Sequence, residues 1–175
     1  MYDFFRKIIA YLNDNNIPYM LSGSVAMSVY VVPRSTRDFD FIIHLLPKDI
    51  DAFAEYFREG YYCDIDSIKE AVKTKGMFNI IDFASGFKAD FVILKSQQFR
   101  QEEFRRKKQY EFMDLTANIV SVEDLLLSKL IWIQDLQSGL QMEDINTLKT
   151  LENLDWDYIY EWMKNLKLNT FELFW

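Results

Sequence analysis

Residues 33–43 read PRSTRDFDFII, and the two acids in this stretch decide the fold. Asp38 and Asp40 stand one residue apart in a run that is otherwise apolar enough to be a buried strand. Side chains at positions i and i+2 of a strand point to the same face, so the pattern predicts two carboxylates together and an apolar core face opposite. Neighbouring like charges repel and need a compensating cation, and Mg²⁺ usually takes one or two protein carboxylates. The alternative is that both acids occupy the solvated face of an edge strand.

A glycine and a serine precede this strand in the segment LSGSVAM, residues 21–27. An apolar run, a tight turn at Gly23-Ser24 and a following helix predict free backbone N–H groups at a helix N-terminus, which bind anions. Gly23 allows a phosphate to approach the backbone, and the Ser24 hydroxyl can cap the helix or donate to a phosphate oxygen. A plain serine cap after a glycine turn is the alternative, and the G-x-x-x-x-G-K pattern of a P-loop is absent from the sequence.

A third acid lies in a later apolar segment, KADFVIL at residues 88–94. An unpaired carboxylate at Asp90 would be costly inside such a strand. If this strand lies beside the strand of Asp38 and Asp40, Asp90 completes a triad of carboxylates. Otherwise Asp90 is an exposed strand-end residue or a partner for Lys88.

The composition limits the kinds of protein this can be. The chain has 175 residues, 50% of them hydrophobic, a formal net charge of −7, one cysteine and one histidine. We expect one globular domain with no membrane span, an amphipathic first helix in place of a signal peptide, and a cytoplasmic location. The acidic balance argues against general binding of duplex DNA, which relies on many Lys and Arg contacts. Lone Cys63 and His44 exclude an intramolecular disulfide, cysteine- or histidine-based metal clusters and Ser-His triads.

The periodicity of the apolar residues predicts the elements around these motifs. Helices are predicted at 2–15, at 25–32 and after Pro47, the last with Gly60 as its C-cap, and strands at 38–44, 77–83 and 88–94, the last two forming a hairpin. From about residue 97 the chain is mainly helical, with one more strand at YEFMDL and helices capped by Ser121 and Asp155. This order predicts an α+β domain with a C-terminal helical layer. We expect a core at residues 1–96 and a mainly helical part at 97–175 packed on it as one unit.

The order of the motifs resembles the nucleotidyltransferase superfamily of DNA polymerase beta. That superfamily has a Gly-Gly or Gly-Ser turn, then the pattern D-h-D-h with h apolar, and a third acid on another strand of the same mixed sheet. Here Gly23-Ser24 is followed after thirteen residues by Asp38-Phe39-Asp40-Phe41, and then by Asp90. Residues 123–148, EDLLLSKLIWIQDLQSGLQMEDINTL, are similar to the C-terminal helices of a bacterial subgroup whose relatives include toxins of toxin–antitoxin and abortive-infection systems.

The resemblance implies a small mixed sheet flanked by helices and a Mg²⁺-dependent transfer of a nucleotidyl group from an NTP to a hydroxyl, with pyrophosphate leaving. It places two metal ions, Mg²⁺ or Mn²⁺, at three catalytic carboxylates, those of Asp38, Asp40 and Asp90. It places the nucleotide at the turn of Gly23 and Ser24 and at Lys129. Asp90 would also help to take the proton of the acceptor hydroxyl. Lys129 could instead extend from a packed helix to water, and Asp144 either pairs with it or lies in the first turn of its helix.

Several alternatives stay open on the sequence alone. The acceptor is a protein, a tRNA or a small molecule, and a partner protein would be a second copy of the chain or a cognate antitoxin. A non-catalytic module that binds a nucleotide or a partner on the same fold is the competing function. Arg34 and Arg37 could form salt bridges with the acid pair, while RRKK at 105–108 is either a phosphate-binding patch or a solvated helix end. Aromatic residues near the C-terminus are the candidates for self-association: Trp156, Tyr158, Tyr160, Trp162, Phe171, Phe174 and Trp175.

Overall fold

The structure, a computed structural model, describes residues 2–32, 36–112 and 114–174, with Phe112 described in its backbone only. Arg34 and Trp175, both named above as candidates, lie outside the described residues. The helices are α1 (Tyr2–Asp14), α2 (Gly23–Met27), α3 (Ile50–Tyr56), α4 (Ile65–Thr74), α5 (Gln98–Arg105), α6 (Val122–Asp135), α7 (Gly139–Leu148) and α8 (Trp156–Asn165). The strands are β1 (Tyr19–Ser22), β2 (Asp38–Ile43), β3 (Tyr61–Cys63), β4 (Met77–Asp82), β5 (Lys88–Ile93), β6 (Lys108–Phe112) and β7 (Leu115–Ile119).

These strands pair into one seven-stranded mixed sheet in the order β3-β4-β5-β2-β1-β7-β6. Strand β2 runs parallel to β5 and β1 runs parallel to β7, whereas the other neighbouring pairs are antiparallel. A parallel pair needs a crossover connection, which α3, β3, α4 and β4 supply between β2 and β5. The predicted α+β class with a mixed sheet flanked by helices is confirmed.

One face of the central strands is covered by α1 and by aromatic rings. Helix α1 buries the apolar residues that its periodicity predicts: Phe4, Phe5, Ile8, Ile9 and Leu12. In β2, Phe41 stacks on Phe91 of β5 with ring centroids 5.2 Å apart, and Phe39 lies 5.2 Å from the ring of Phe5. Such ring pairs bury large apolar areas and fix the strands against the helix. Because side chains alternate along β2, this burial turns Asp38 and Asp40 to the opposite face.

The sequence does not predict four of the observed strands and helices, namely β1, β3, α4 and β7. Strand β3 is three residues long, too short to show an alternation, and β7 pairs with β6, which overlaps the strand predicted at YEFMDL. The helix predicted at 25–32 ends at Met27, so this boundary is wrong. The predicted C-cap is also wrong, because α3 ends at Tyr56 and Gly60 lies in the turn before β3.

The last helices begin at the capping residues that the sequence predicts. The Ser121 hydroxyl accepts a hydrogen bond from the Asp124 N–H at 3.2 Å, and the Asp155 carboxylate accepts one from the Tyr158 N–H at 3.0 Å. The C-terminal aromatic residues that the structure describes are half-buried against the core, except for the more exposed Tyr160. Among the described residues, no helix has both the length and the apolar composition needed to cross a bilayer.

Candidate active site

The parallel pairing of β2 and β5 sets the acids of the two strands side by side. Asp40 is paired with Asp90 in the Cα register, and Asp38 is paired with Lys88. Residues that are paired in register point to the same face of a sheet, which here is the face opposite the aromatic core. The condition for a triad, that the strand of Asp90 lies beside the strand of the other two acids, is therefore met.

Gly23 lies directly against the carboxylate of Asp40. Its backbone has a φ of +64°, and a Cβ built on it would lie 1.8 Å from Asp40 Oδ2. Only glycine fits here without moving the carboxylate. Helix α2 begins at Gly23 and is five residues long, and its N-cap is Ser22, whose side chain makes no capping hydrogen bond. Ser24 is therefore not the helix cap that the sequence allows for.

A cleft of about 440 Å³ opens over this face of the sheet. It brings together five of the six predicted site residues: Gly23, Ser24, Asp40, Asp90 and Lys129. The sixth, Asp38, does not line the cleft. It lies two residues before Asp40 at the start of β2, and its side chain is 52% exposed. The volume lies within the range of small-molecule sites, about 300–1,000 Å³.

Lys88 extends its ammonium group between two of the acids. Its Nζ lies 2.8 Å from Asp90 Oδ2 and 3.8 Å from Asp38 Oδ1. The hydrogen bond to Asp90 is the main cause of the raised pKa of Lys88. Lys88 is thus a cation that contacts both of these carboxylates. Asp90 is its partner, which is one of the alternatives that the sequence left open. The other oxygen of Asp90, Oδ1, is buried and has no hydrogen-bond partner among the described residues.

Asp38, Asp40 and Asp90 form a group of carboxylates that we call the acid cluster, and within it Asp40 has a raised pKa. Burial, and then the charges of Asp90 and Asp38, raise the pKa of Asp40 to about 6, against the lowering effects of Lys129 and Lys88. A buried carboxyl group between other acids loses its proton only at a cost in free energy. A divalent cation bound at this place would remove that cost.

The donor groups of this face fit a divalent cation in part. In the ranges 2–32, 36–112 and 114–174, no three histidine, cysteine or acidic side chains are grouped so that they could hold a metal ion. Asp40 and Asp90 nevertheless offer hard oxygen ligands on paired residues, and Asp90 Oδ1 has no hydrogen-bond partner in the part of the chain that the structure describes. Mg²⁺ usually takes one or two carboxylates from a protein, so these two acids are enough in number. Asp38 faces the same side but is turned towards Lys88.

Lys129 is buried at the cleft and is held by two residues of α7. Its Nζ lies 2.7 Å from Asp144 Oδ2 and donates a hydrogen bond to Gln141 Oε1 at 3.0 Å. Both charged side chains are only 5% exposed. Of the two interpretations given for Asp144, pairing with Lys129 is the one observed. The ammonium group still lowers the pKa of Asp40, so its charge acts on the acid cluster.

The cleft also contains residues that the sequence did not single out. Trp132 and Met77 are half-exposed and form apolar parts of its wall. Trp132 lies three residues after Lys129, one turn further along the same face of α6, and this spacing could have identified it. Ser22 and Asn79 pair in register with the two central acids from β1 and β4, and only the sheet topology reveals this.

The basic run at 105–108 is largely occupied by contacts within the protein. Arg106 Nε lies 3.0 Å from Asp124 Oδ2, and Arg106 Nη2 lies 3.3 Å from Glu123. Arg105 pairs with Glu102, and the Lys107 ammonium lies 4.0 Å from the ring centre of Phe104. These contacts favour a structural role over a phosphate-binding patch.

No protein-family model and no curated protein sequence matches this chain, whereas several solved structures do. The crystal structure of ANT(2'')-Ia in complex with adenylyl-2''-tobramycin has a TM-score of 0.64 and 12% identity, over 95% of this chain and 96% of that chain. The solution structure of the antibiotic-resistance factor ANT(2'')-Ia has a TM-score of 0.63 and 11% identity, over 95% of this chain and 90% of that chain. The lincomycin-bound lincosamide antibiotic adenylyltransferase LnuA has a TM-score of 0.55 and 14% identity, over 85% of this chain and 95% of that chain. Together with the order of its motifs and its mixed sheet, this likeness shows that the chain has the nucleotidyltransferase fold.

Proposed function

We propose that this protein transfers a nucleotidyl group from a nucleoside triphosphate to a hydroxyl group of a small molecule. The observation that carries the proposal is the pairing of Asp40 with Asp90 at a cleft whose turn, Gly23, packs against one of the acids. Structures with the same fold include a complex with an adenylylated tobramycin and a lincosamide adenylyltransferase, which supports a small acceptor. The fold alone does not determine function, so the chemistry of this site has to be tested.

Asp40 and Asp90 would hold the divalent metal ions, with Asp38 joining them once Lys88 no longer contacts it. A bound ion supplies charge stabilisation at the α-phosphate and lowers the pKa of the acceptor hydroxyl. The raised pKa of Asp40, which follows mainly from burial, supports this role because perturbed pKa values cluster at functional sites.

The remaining residues would orient the reactants. Gly23 and Ser24, at the edge of the cleft, would contact the phosphates, and Lys129 would keep positive charge beside the acids. Asp90 would also help to take the proton that the acceptor hydroxyl loses. The hydroxyl oxygen then bonds to the α-phosphorus while the bond to pyrophosphate breaks. Trp132 offers a flat apolar surface to an acceptor or to a base.

Transfer of radiolabel tests this proposal directly. Each of the four NTPs, labelled at the α-phosphate, is incubated with Mg²⁺ and a panel of hydroxyl compounds that includes an aminoglycoside and a lincosamide. We expect label in a small-molecule product with the parent protein and a loss of about a thousandfold in Asp40→Asn. Label found only in a protein or in tRNA added to the assay would show that the acceptor is that macromolecule and not a small molecule. Equal transfer by the parent and the variant would contradict the role of the acid cluster.

Nucleotide binding gives a second test that needs no acceptor. Calorimetry should show NTP binding that depends on Mg²⁺ and falls sharply in Asp38→Ala. Equal binding by both proteins, with and without the metal, would refute the role given to the acid pair.

A non-catalytic nucleotide-binding module is the second candidate, and one observation favours it. Lys88 already neutralises part of the acid cluster, as expected if a protein cation had replaced the metal ions. Such a module would bind NTP without Mg²⁺ and would release no pyrophosphate. A pyrophosphate assay with the same acceptor panel separates the two candidates.

A further inference from the structure

A cation that belongs to the protein stands where the proposed reaction needs a divalent ion. Lys88 Nζ lies 2.8 Å from Asp90 Oδ2, and its other acid contact is Asp38 Oδ1 at 3.8 Å. The pairing of β2 with β5 fixes this arrangement, because Lys88 lies opposite Asp38 and two residues before Asp90 on the same face. The geometry is therefore built into the register of the sheet.

The contact with Asp90 differs from an ordinary surface salt bridge. The Asp90 side chain is only 14% exposed, whereas exposed ion pairs contribute little because water screens them. Without Lys88, Asp90 would be a nearly buried carboxylate that has lost the ion-pair partner of Oδ2 and whose Oδ1 has no hydrogen-bond partner among the described residues. Lys88 is itself 35% exposed, so its long side chain has solvent into which it can move.

We propose that Lys88 is a positioning residue that holds Asp90 and Asp38 in place until a divalent cation displaces its ammonium group. The inference rests on the proposed function, since it assigns the divalent ion to these acids. Two cations at the same pair of carboxylate groups repel each other, so binding of the ion and the contacts of Lys88 oppose each other. A free ion must then compete with Lys88, and an ion that arrives with a triphosphate brings negative charge with which the released ammonium can pair. Lys88 thus makes the acids selective for the metal–nucleotide complex over the free ion.

Binding of Mn²⁺ without nucleotide measures this competition apart from catalysis. The full chain is titrated with Mn²⁺, and the free ion is followed by electron paramagnetic resonance. We expect Lys88→Met to bind Mn²⁺ about tenfold more tightly than the parent, because the competing charge is gone. Lys88→Arg keeps the charge and should remain weak, and Lys95→Met, which removes a lysine of the cleft wall, should change affinity by less than about twofold.

Addition of a non-hydrolysable NTP analogue provides the second readout. The difference in Mn²⁺ affinity between Lys88→Met and the parent should shrink by at least about threefold, since the phosphates offer the parent's ammonium another partner. A purely structural lysine would change stability and leave this difference untouched. If Lys88→Met does not fold, Lys88→Gln is measured in its place.

The outcomes separate the inference from the proposed function. Unchanged or weaker Mn²⁺ binding by the neutral Lys88 variants would overturn the inference, while binding that still depends on Asp40 would leave the proposed function standing. Equal tightening by Lys95→Met would also overturn it, because the effect would then be general electrostatics. If Asp40→Asn and the parent bind Mn²⁺ equally poorly even with nucleotide, both proposals fail.

Discussion

Two groups of acidic side chains in this protein differ in how completely their oxygens are hydrogen-bonded. The first is the acid cluster of Asp38, Asp40 and Asp90. The second, the helix network, consists of Ser121, Asp124, Glu123, Arg106 and Tyr158. Asp124 is fully buried, yet Oδ2 accepts hydrogen bonds from the Ser121 hydroxyl at 2.6 Å and from Arg106 Nε at 3.0 Å, and Oδ1 accepts one from the Tyr158 hydroxyl at 2.6 Å.

In the acid cluster the same kind of group is left incomplete. Asp90 Oδ1 has no hydrogen-bond partner among the described residues, and burial with neighbouring acids raises the pKa of Asp40 to about 6. Fully bonded buried acids stabilise a structure, whereas incompletely bonded ones are costly and are typical of functional sites. The difference indicates that the helix network holds the C-terminal helices in place, and the incomplete bonding of the acid cluster supports the ligand site that we propose there.

The largest effect should follow from breaking the helix network. Arg106→Met removes the cation of Asp124 and the guanidinium group that lies 3.9 Å from the ring centre of Tyr158. Because an unpaired charge then remains buried, we expect urea unfolding to show a loss of about 3–5 kcal/mol. Arg105→Met, which breaks only the exposed pair with Glu102, is the matched control and should cost far less stability, because water screens that pair. Similar losses in both variants would remove the contrast between the two regions.

A smaller loss is expected where the acid cluster contacts the backbone. Gly23→Ala puts a methyl group where Asp40 Oδ2 lies and keeps a φ of +64° that costs alanine about 1–2 kcal/mol. With the displaced carboxylate added, we expect a total loss of about 2–3 kcal/mol in urea unfolding. In an Asp40→Ala background the same substitution should cost less, since most of the clashing atoms are gone. Strict additivity of the two changes would show that the contact does not exist.

Neutralising the acid cluster should raise stability, the opposite of the effect in the helix network. Since the folded pKa of Asp40, about 6, lies above its unfolded value, ionisation costs stability as pH rises from about 4 to about 6, and the cost stays constant above that. Asp40→Asn removes this cost, so thermal melts in EDTA at pH 8 should show a gain of about 2–3 kcal/mol. The gain should disappear near pH 4. Strong destabilisation at pH 8 would mean that Asp40 is a structural partner, and the binding-module hypothesis would then be favoured.

The smallest effect should come from adding the metal and nucleotide to the intact protein. A ligand that binds only the folded state stabilises it by mass action, by about 1.4 kcal/mol at ten times its dissociation constant. Mg²⁺ with NTP should therefore raise the melting temperature of the parent by a few degrees and that of Asp40→Asn by less. Equal shifts in the two proteins would show that the ligand does not use the acid cluster.

Much of the fold was readable from local patterns. The alternation of Asp38 and Asp40 with phenylalanines identified β2 and its two faces, and Ser121 and Asp155 marked helix starts, because strand faces and helix caps depend on residues a few positions apart. The short strand β3 and strand β7, which pairs with the edge strand β6, were not predicted. Pairing with neighbouring strands stabilises both of them more than their own sequences do.

The sequence by itself determined which charged residues lie in apolar segments, and these are the candidate acids. The order of the motifs predicted the nucleotidyltransferase fold. Only the tertiary structure decided which of these charges are neutralised. The pairing of β2 with β5 brings Lys88 to Asp38, and the packing of α7 on α6 gives Lys129 its partner Asp144. These contacts join residues that are far apart in the chain, and their strength depends on burial and distance. No local pattern encodes either quantity.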